Sequence, residues 1–149
     1  MFKTILVPLD GSELAEAVIP LVRDIAASTC AAIVLLRVPE NVLYDPAVVA
    51  PPVSVTMYEH VRVEARDYLH RVEADLAAAG FKVRAKVNEG LVADAILECA
   101  ESEHAELIAM STHGRSGLAR WLLGSIAEKI VRSSAIPVLL VRPHKNHQA

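Results

Sequence analysis

The chain has 149 residues, 53% hydrophobic, 22% charged and 4% aromatic, with 15 Lys and Arg against 18 Asp and Glu. That length supports one domain burying roughly 70% of the surface of the unfolded chain without disulfides or a structural metal. The formal charge of -3 argues against a protein dedicated to nucleic acid. The apolar content argues against disorder, and the lack of an apolar run of about 18 residues argues against a membrane span.

The amino terminus leads into the apolar run Thr4-Ile5-Leu6-Val7-Pro8-Leu9, which ends at Asp10-Gly11-Ser12. This is too short for a secretory signal, so a soluble, cytoplasmic protein is expected. Continuous rather than alternating, the run predicts a strand buried on both faces, and Pro8, which lacks a ladder donor, belongs near its end. Leu14, Ala17, Val18, Leu21, Val22 and Ile25 recur at helical spacing. Ser12 is suited to cap that helix and Pro20 to kink it. A second buried strand is expected over about residues 32–38. The two cysteines, Cys30 and Cys99, have no CxxC partner and read as small buried hydrophobes rather than a redox pair.

About residues 39–56 hold four of the eight prolines and have no period, which predicts a connection longer than the usual 4 to 6 residues. Val61, Ala65, Leu69, Val72 and Leu76 then mark one stripe of a helix with mixed charges on its other side. Gly80 closes it, and residues 81–87 alternate apolar with basic, as an edge strand with a wet face would. Val92, Ile96, Leu97 and Ala100 mark another helix, Glu106-Leu107-Ile108-Ala109-Met110 a strand, residues ending near Arg132 a helix, and Pro137-Val138-Leu139-Leu140-Val141 a last strand. Alternation at this spacing predicts an α/β, Rossmann-like open parallel sheet of five strands with helices on both faces and right-handed crossovers.

In such a sheet ligands bind at the carboxyl ends of central strands, where the winding reverses. Two segments fall there: Asp10-Gly11-Ser12, and Ser111-Thr112-His113-Gly114-Arg115-Ser116-Gly117 continuing to Gly124-Ser125. The second is rich in glycine and hydroxyl groups, and Ser125-Ile126-Ala127-Glu128 reads as a capping box, which places the positive end of a helix dipole at the loop. That suits an anion, although a Gly/Ser loop ahead of a helix also serves as plain turn chemistry. Neither GxxxxGK[ST] nor GxGxxG is present. A receiver domain is disfavoured too, since the strand ends offer Asp10 alone, then Asn88 and Arg142, in place of an acidic cluster, an Asp and a Lys. His113 has no second titratable partner for catalysis, and the remaining histidines lack ligand spacing, so no metal cage is proposed.

Taken together, Ile5-Leu6-Val7-Pro8-Leu9-Asp10-Gly11-Ser12, Leu107-Ile108-Ala109-Met110-Ser111-Thr112-His113-Gly114, Leu122-Leu123-Gly124-Ser125 and the final strand resemble the universal stress protein family from end to end. In its ATP-binding branch the loop reads glycine, two residues, glycine, nine residues, glycine, then serine or threonine. Gly114, the nine residues 115–123, Gly124 and Ser125 match, while Ser111 stands where the first glycine would be. The resemblance implies that Gly114, Gly124 and Ser125 hold phosphates, that Val38 offers backbone contacts to adenine, and that Asp10 lies near the ribose or a phosphate-bound divalent cation. Asp10 is equally suited to cap the first helix. Arg115 and Arg120 are near enough in sequence to attract phosphates, or to face solvent or a partner.

The function so implied is an ATP-binding stress-response regulatory protein, with Mg²⁺ as a possible companion of the nucleotide. The alternatives are a nucleotide-free dimeric interaction module and a slow ATPase; no convincing general base, catalytic Lys or second carboxylate marks the loop for phosphoryl transfer. In the expected strand order 3-2-1-4-5 the last strand, Val138, Leu139, Leu140 and Val141, lies at an open edge that invites another chain. The resemblance implies that it pairs with its two-fold mate in a homodimer.

Overall fold

The computed structural model describes residues 1–40, 55–113 and 123–143. Its elements run β1 (Thr4–Pro8), α1 (Glu13–Glu16), α2 (Ile19–Thr29), β2 (Ala32–Arg37), α3 (Val55–Ala78), β3 (Val83–Val87), α4 (Val92–Ser102), β4 (Leu107–Ser111), α5 (Ser125–Ser133) and β5 (Val138–Val141). The five strands form one parallel sheet in the order β3-β2-β1-β4-β5. The expected architecture is therefore the one observed. Of the long connection expected over about residues 39–56, residues 41–54 lie outside the described residues, and α3 already begins at Val55.

Successive residues of the central strands serve opposite layers, which is why those strands read as unbroken apolar runs. Ile5, Val7, Ile33 and Leu35 pack with Val22 and Ala26 of α2 and Leu69 and Leu76 of α3. Leu6, Val34, Leu36 and Ile108 pack with Ile96 and Cys99 of α4 and Ala127 and Ile130 of α5. Each fully buried Leu or Ile contributes roughly 1.5–3 kcal/mol of transfer free energy, so these two layers dominate the stability of the sheet.

Pro8 is the last residue of β1, after which Leu9 N–H takes up the ladder by donating to Leu36 O at 2.8 Å. At the end of α3, Gly80 N–H donates to Ala77 O (3.0 Å) and Phe81 N–H to Leu76 O (3.1 Å), the paired bonds of a Schellman ending. Pro20 does more than kink the first helix. Its ring clashes with the carbonyl four residues back and it has no N–H to give, so the helix stops after Glu16 and restarts at Ile19. Pro20 then falls in the first turn of α2, where a missing donor costs nothing.

The cysteines divide. Cys99 is buried as expected, and burial raises its thiol pKa. Cys30 is exposed at the end of α2 with φ +57, so its reading as a buried hydrophobe is corrected. β3 lies at a sheet edge, and its basic residues Arg84 and Lys86 both pair with Glu103 at the end of α4. The hydrogen bonds from Lys86 and then Arg84 hold the Glu103 carboxyl below its ordinary pKa.

Candidate functional site

The carboxyl ends of β1, β2 and β4 open into a cleft of about 390 Å³, bounded on one side by the start of α5. That volume falls within the range of small-molecule sites. Asp10, Val38, Ser111, Gly124 and Ser125, all singled out from the sequence, line it together, along with Arg37, Glu40, Thr112 and His113. Gly114 and Arg115, the other two expected site residues, and Arg120 lie outside the described residues.

At the end of β1, Asp10 Oδ1 accepts hydrogen bonds from Ser12 N–H (2.9 Å) and from the Ser12 hydroxyl (2.5 Å). Ser12 Oγ in turn accepts Ala15 N–H at 3.1 Å and is the N-cap of α1. Asp10 thus does not cap the helix itself; it orients the residue that does.

At the end of β4, Ser111 is 6% exposed and paired with Val141 of β5. It lies within a regular strand, so the position where the ATP-binding pattern has glycine makes no demand here for a left-handed backbone. Thr112 follows and is tied three ways. Its N–H donates to Val141 O (2.9 Å), its carbonyl accepts Gly124 N–H (3.0 Å), and its hydroxyl lies 2.9 Å from His113 Nδ1. A Cβ on Gly124 would stand 3.0 Å from Thr112 O, a contact between a side chain and backbone that one of them would have to yield. The close approach leaves little room for any larger residue.

The capping box expected at Ser125 does not form. Gly124 is the N-cap of α5, with φ -58 and ψ 149, and so brings no side-chain cap bond to the first turn. Ser125 is already helical, because the bond from Gly124 to Thr112 fixes the chain one residue earlier than the local pattern implies. Gly124, Ser125, Ile126 and Ala127 all line the cleft, which places the positive end of the α5 dipole at its wall.

Two features escaped the sequence reading. Arg37, the last residue of β2, is only 9% exposed and lines the cleft. Tyr68 of α3 donates its hydroxyl to Glu16 Oε1 at 2.7 Å. Burial raises the Tyr68 pKa first, and the hydrogen bond to Glu16 and the charges of Glu16 and Asp10 raise it further, with Arg37 opposing them. Nothing in the local pattern around residue 68 signals this, since Glu16 is 52 positions away.

Comparison with known proteins decides the family. A model of the universal stress protein family matches residues 1–142. The chain belongs to that family. Among curated universal stress proteins it is 31% identical to MJ0531 of Methanocaldococcus jannaschii over 97% of this chain and 85% of that one. Among solved structures it superposes on the protein MJ0577, the subject of a structure-based assignment of biochemical function, with a TM-score of 0.79 and 27% identity, covering 98% of this chain and 99% of that one. A universal stress protein solved in complex with cAMP is 25% identical, with a TM-score of 0.61 and coverage of 96% and 98%. Among the described residues of this universal stress protein, no helix is long and apolar enough to cross a membrane.

Proposed function

We propose that this universal stress protein is a regulatory module that binds ATP in the cleft at the ends of β1, β2 and β4. The observation that carries the reading is the start of α5. A helix end capped by a glycine without a side-chain bond, and drawn by Gly124 onto the Thr112 backbone, lines a cleft of nucleotide size. Backbone N–H groups at a helix start favour a phosphate, and Gly124 admits close approach. The family relative solved with cAMP is a further support for an adenine nucleotide.

In this reading Gly124 and Ser125 hold phosphate oxygens together with Ser111, while Gly114 and Arg115 extend the same loop motif. Val38 sits at the end of β2 for the adenine. Asp10 accepts from the ribose hydroxyls or binds a Mg²⁺ ion on the phosphates, and that ion would neutralise phosphate charge. Among the described residues lining the cleft there is no lysine to act on a transferring phosphoryl group. The module is one that holds nucleotide rather than turns it over rapidly. It belongs in the cytoplasm, where ATP and Mg²⁺ are available together.

Denatured protein, freshly purified from its host, should release adenine nucleotide on chromatography, and Mg·ATP should raise the melting temperature of nucleotide-free protein. Protein that carries none and melts unchanged overturns the reading.

The sheet edges support a homodimer. At one edge Arg84 and Lys86 blunt β3; at the other, all four residues of β5, Val138, Leu139, Leu140 and Val141, are partly exposed and apolar. An apolar edge strand invites pairing with a second copy across a two-fold axis. Light scattering at tens of micromolar should report a dimer, and Leu140→Pro, which removes a donor, should shift it toward monomer or aggregate. A monomeric wild type removes the edge-pairing reading.

A further inference from the structure

We propose that Glu73 of α3 takes the place of a neighbouring strand on the outer edge of β3 and closes that edge to a second copy of the chain, leaving β5 as the edge that pairs; this rests on the β5 reading of the homodimer. A sheet open at both edges can go on adding copies at each. A dimer that stops at two copies needs the other edge shut.

In a parallel ladder, alternate residues of a strand bond to the same neighbour. Ile33 N–H donates to Lys82 O at 2.8 Å and Asn88 N–H to Arg37 O at 3.1 Å, so Arg84 and Lys86, in step with them, turn their main chain toward β2. Val83, Ala85 and Val87 turn theirs outward. Ala85 is the middle of the three, and its N–H donates to Glu73 Oε1 at 3.1 Å. A side chain of the covering helix thus accepts the bond that an added strand would otherwise take.

The carboxylate is itself held. The Glu73 side chain is only 26% exposed, and His70, one turn earlier on α3, places its Nδ1 3.0 Å from Oε2. With the ring proton on Nδ1, one carboxylate oxygen serves the ring and the other the strand edge. An ionised acceptor binds an N–H more strongly than the carbonyl of an incoming strand would, so a second copy would have to displace the better partner. Arg84 and Lys86 do not supply this closure. Both pair with Glu103 at the end of α4, which partly neutralises their charge and leaves the Ala85 donor untouched.

The full chain should be compared as wild type, Glu73→Gln, Glu73→Ala and the double variant Glu73→Ala with Ala85→Pro. Gln keeps an acceptor oxygen for Ala85 and Ala removes it, while Pro removes the donor itself, a change that an outward-facing edge position accepts. In amide exchange, Ala85 should be protected at every protein concentration in the wild type and in Glu73→Gln. It should exchange roughly tenfold faster in Glu73→Ala, the scale of one hydrogen bond to a charged group. In light scattering, the wild type and Glu73→Gln should keep one mass, and Glu73→Ala should rise with concentration to about twice that mass or more as copies join through β3. The double variant should return to the wild-type mass.

An unprotected Ala85 amide in the wild type, protection that survives in Glu73→Ala, or a Glu73→Ala variant that loses protection yet keeps the wild-type mass overturns the proposal. Association that Ala85→Pro leaves in place overturns it too, because strand addition is then not its cause. A monomeric wild type beside an associating Glu73→Ala overturns the β5 homodimer and leaves the closure by Glu73 standing. Where the variants do not fold, the wild-type exchange alone decides.

Discussion

β1 and β4 lie side by side in the sheet, and each runs from its carboxyl end toward a helix, yet the two helix starts are built in opposite ways. At α1 the first turn is satisfied from within: Ser12 caps Ala15 N–H, and Asp10 holds Ser12. At α5 the cap is a glycine pressed against the Thr112 backbone, with no side chain of its own to bond the first turn. A capped helix start stabilises the fold. One without a side-chain cap, at the wall of a cleft, forgoes some of that stability and leaves its donors available to a ligand. The same strand-to-helix junction serves structure in one place and, in the proposed reading, binding in the other.

The largest effect should come from Gly124→Val. At a nucleotide concentration about 100 times the dissociation constant, binding adds roughly 2.7 kcal/mol to the stability of the wild type. Melts with and without Mg·ATP should show that increment lost in the variant. The new side chain would also press on Thr112 O, so the ligand-free protein should itself lose about 1–3 kcal/mol. A variant that keeps the whole ATP-dependent shift moves the phosphate site away from α5.

Asp10→Ala stands between the two junctions, because Asp10 both lines the cleft and orients the α1 cap. Calorimetry should show nucleotide affinity weakened by about 1–3 kcal/mol. If affinity is retained and only the melting temperature falls, Asp10 is a brace for α1 and nothing more.

Ser12→Ala tests the structural junction by itself. Urea unfolding should register a loss of about 1 kcal/mol, the usual value of an N-cap, with nucleotide affinity nearly unchanged. A large loss of affinity would mean that the α1 turn, too, belongs to the binding site.

The smallest effect is expected from Ser125→Ala. A capping-box serine would cost about 1 kcal/mol on removal, but Ser125 is within α5 and Gly124 is its cap, so ligand-free stability should change by less than about 0.5 kcal/mol. A loss as large as that of Ser12→Ala would show that Ser125 caps α5 after all and would erase the contrast between the two junctions.

Much of the site was legible because strand ends and helix starts follow from hydrophobic pattern, and a parallel sheet puts its strand ends on one rim. Asp10, Ser111, Gly124 and Ser125 could be assigned to that rim from chain order, and Val38 from the family resemblance. The capping box at Ser125 was a sound local reading that a tertiary contact displaced: the bond from Gly124 N–H to Thr112 O starts the helix from outside its own turn. Arg37 was not singled out in the sequence, and only the packed structure buries it beside the cleft.

The sequence by itself determined what depends on neighbours within a few positions. The two-faced strands, the Ser12 cap, the glycine ending of α3 and the placement of Pro8 at the end of β1 all rest on local periodicity, local hydrogen bonds or a missing donor. Pro20 belongs with them in cause, since its clash with the preceding turn is local, although the pattern suggested a bend where the chain breaks and restarts. Tertiary structure decided what depends on contacts between distant segments. Tyr68 meeting Glu16, Arg84 and Lys86 meeting Glu103, and Thr112 joining β5 and Gly124 each require elements brought together by the sheet. No local propensity encodes such contacts; they exist because burying both faces of the sheet fixes where every strand end and helix start must lie.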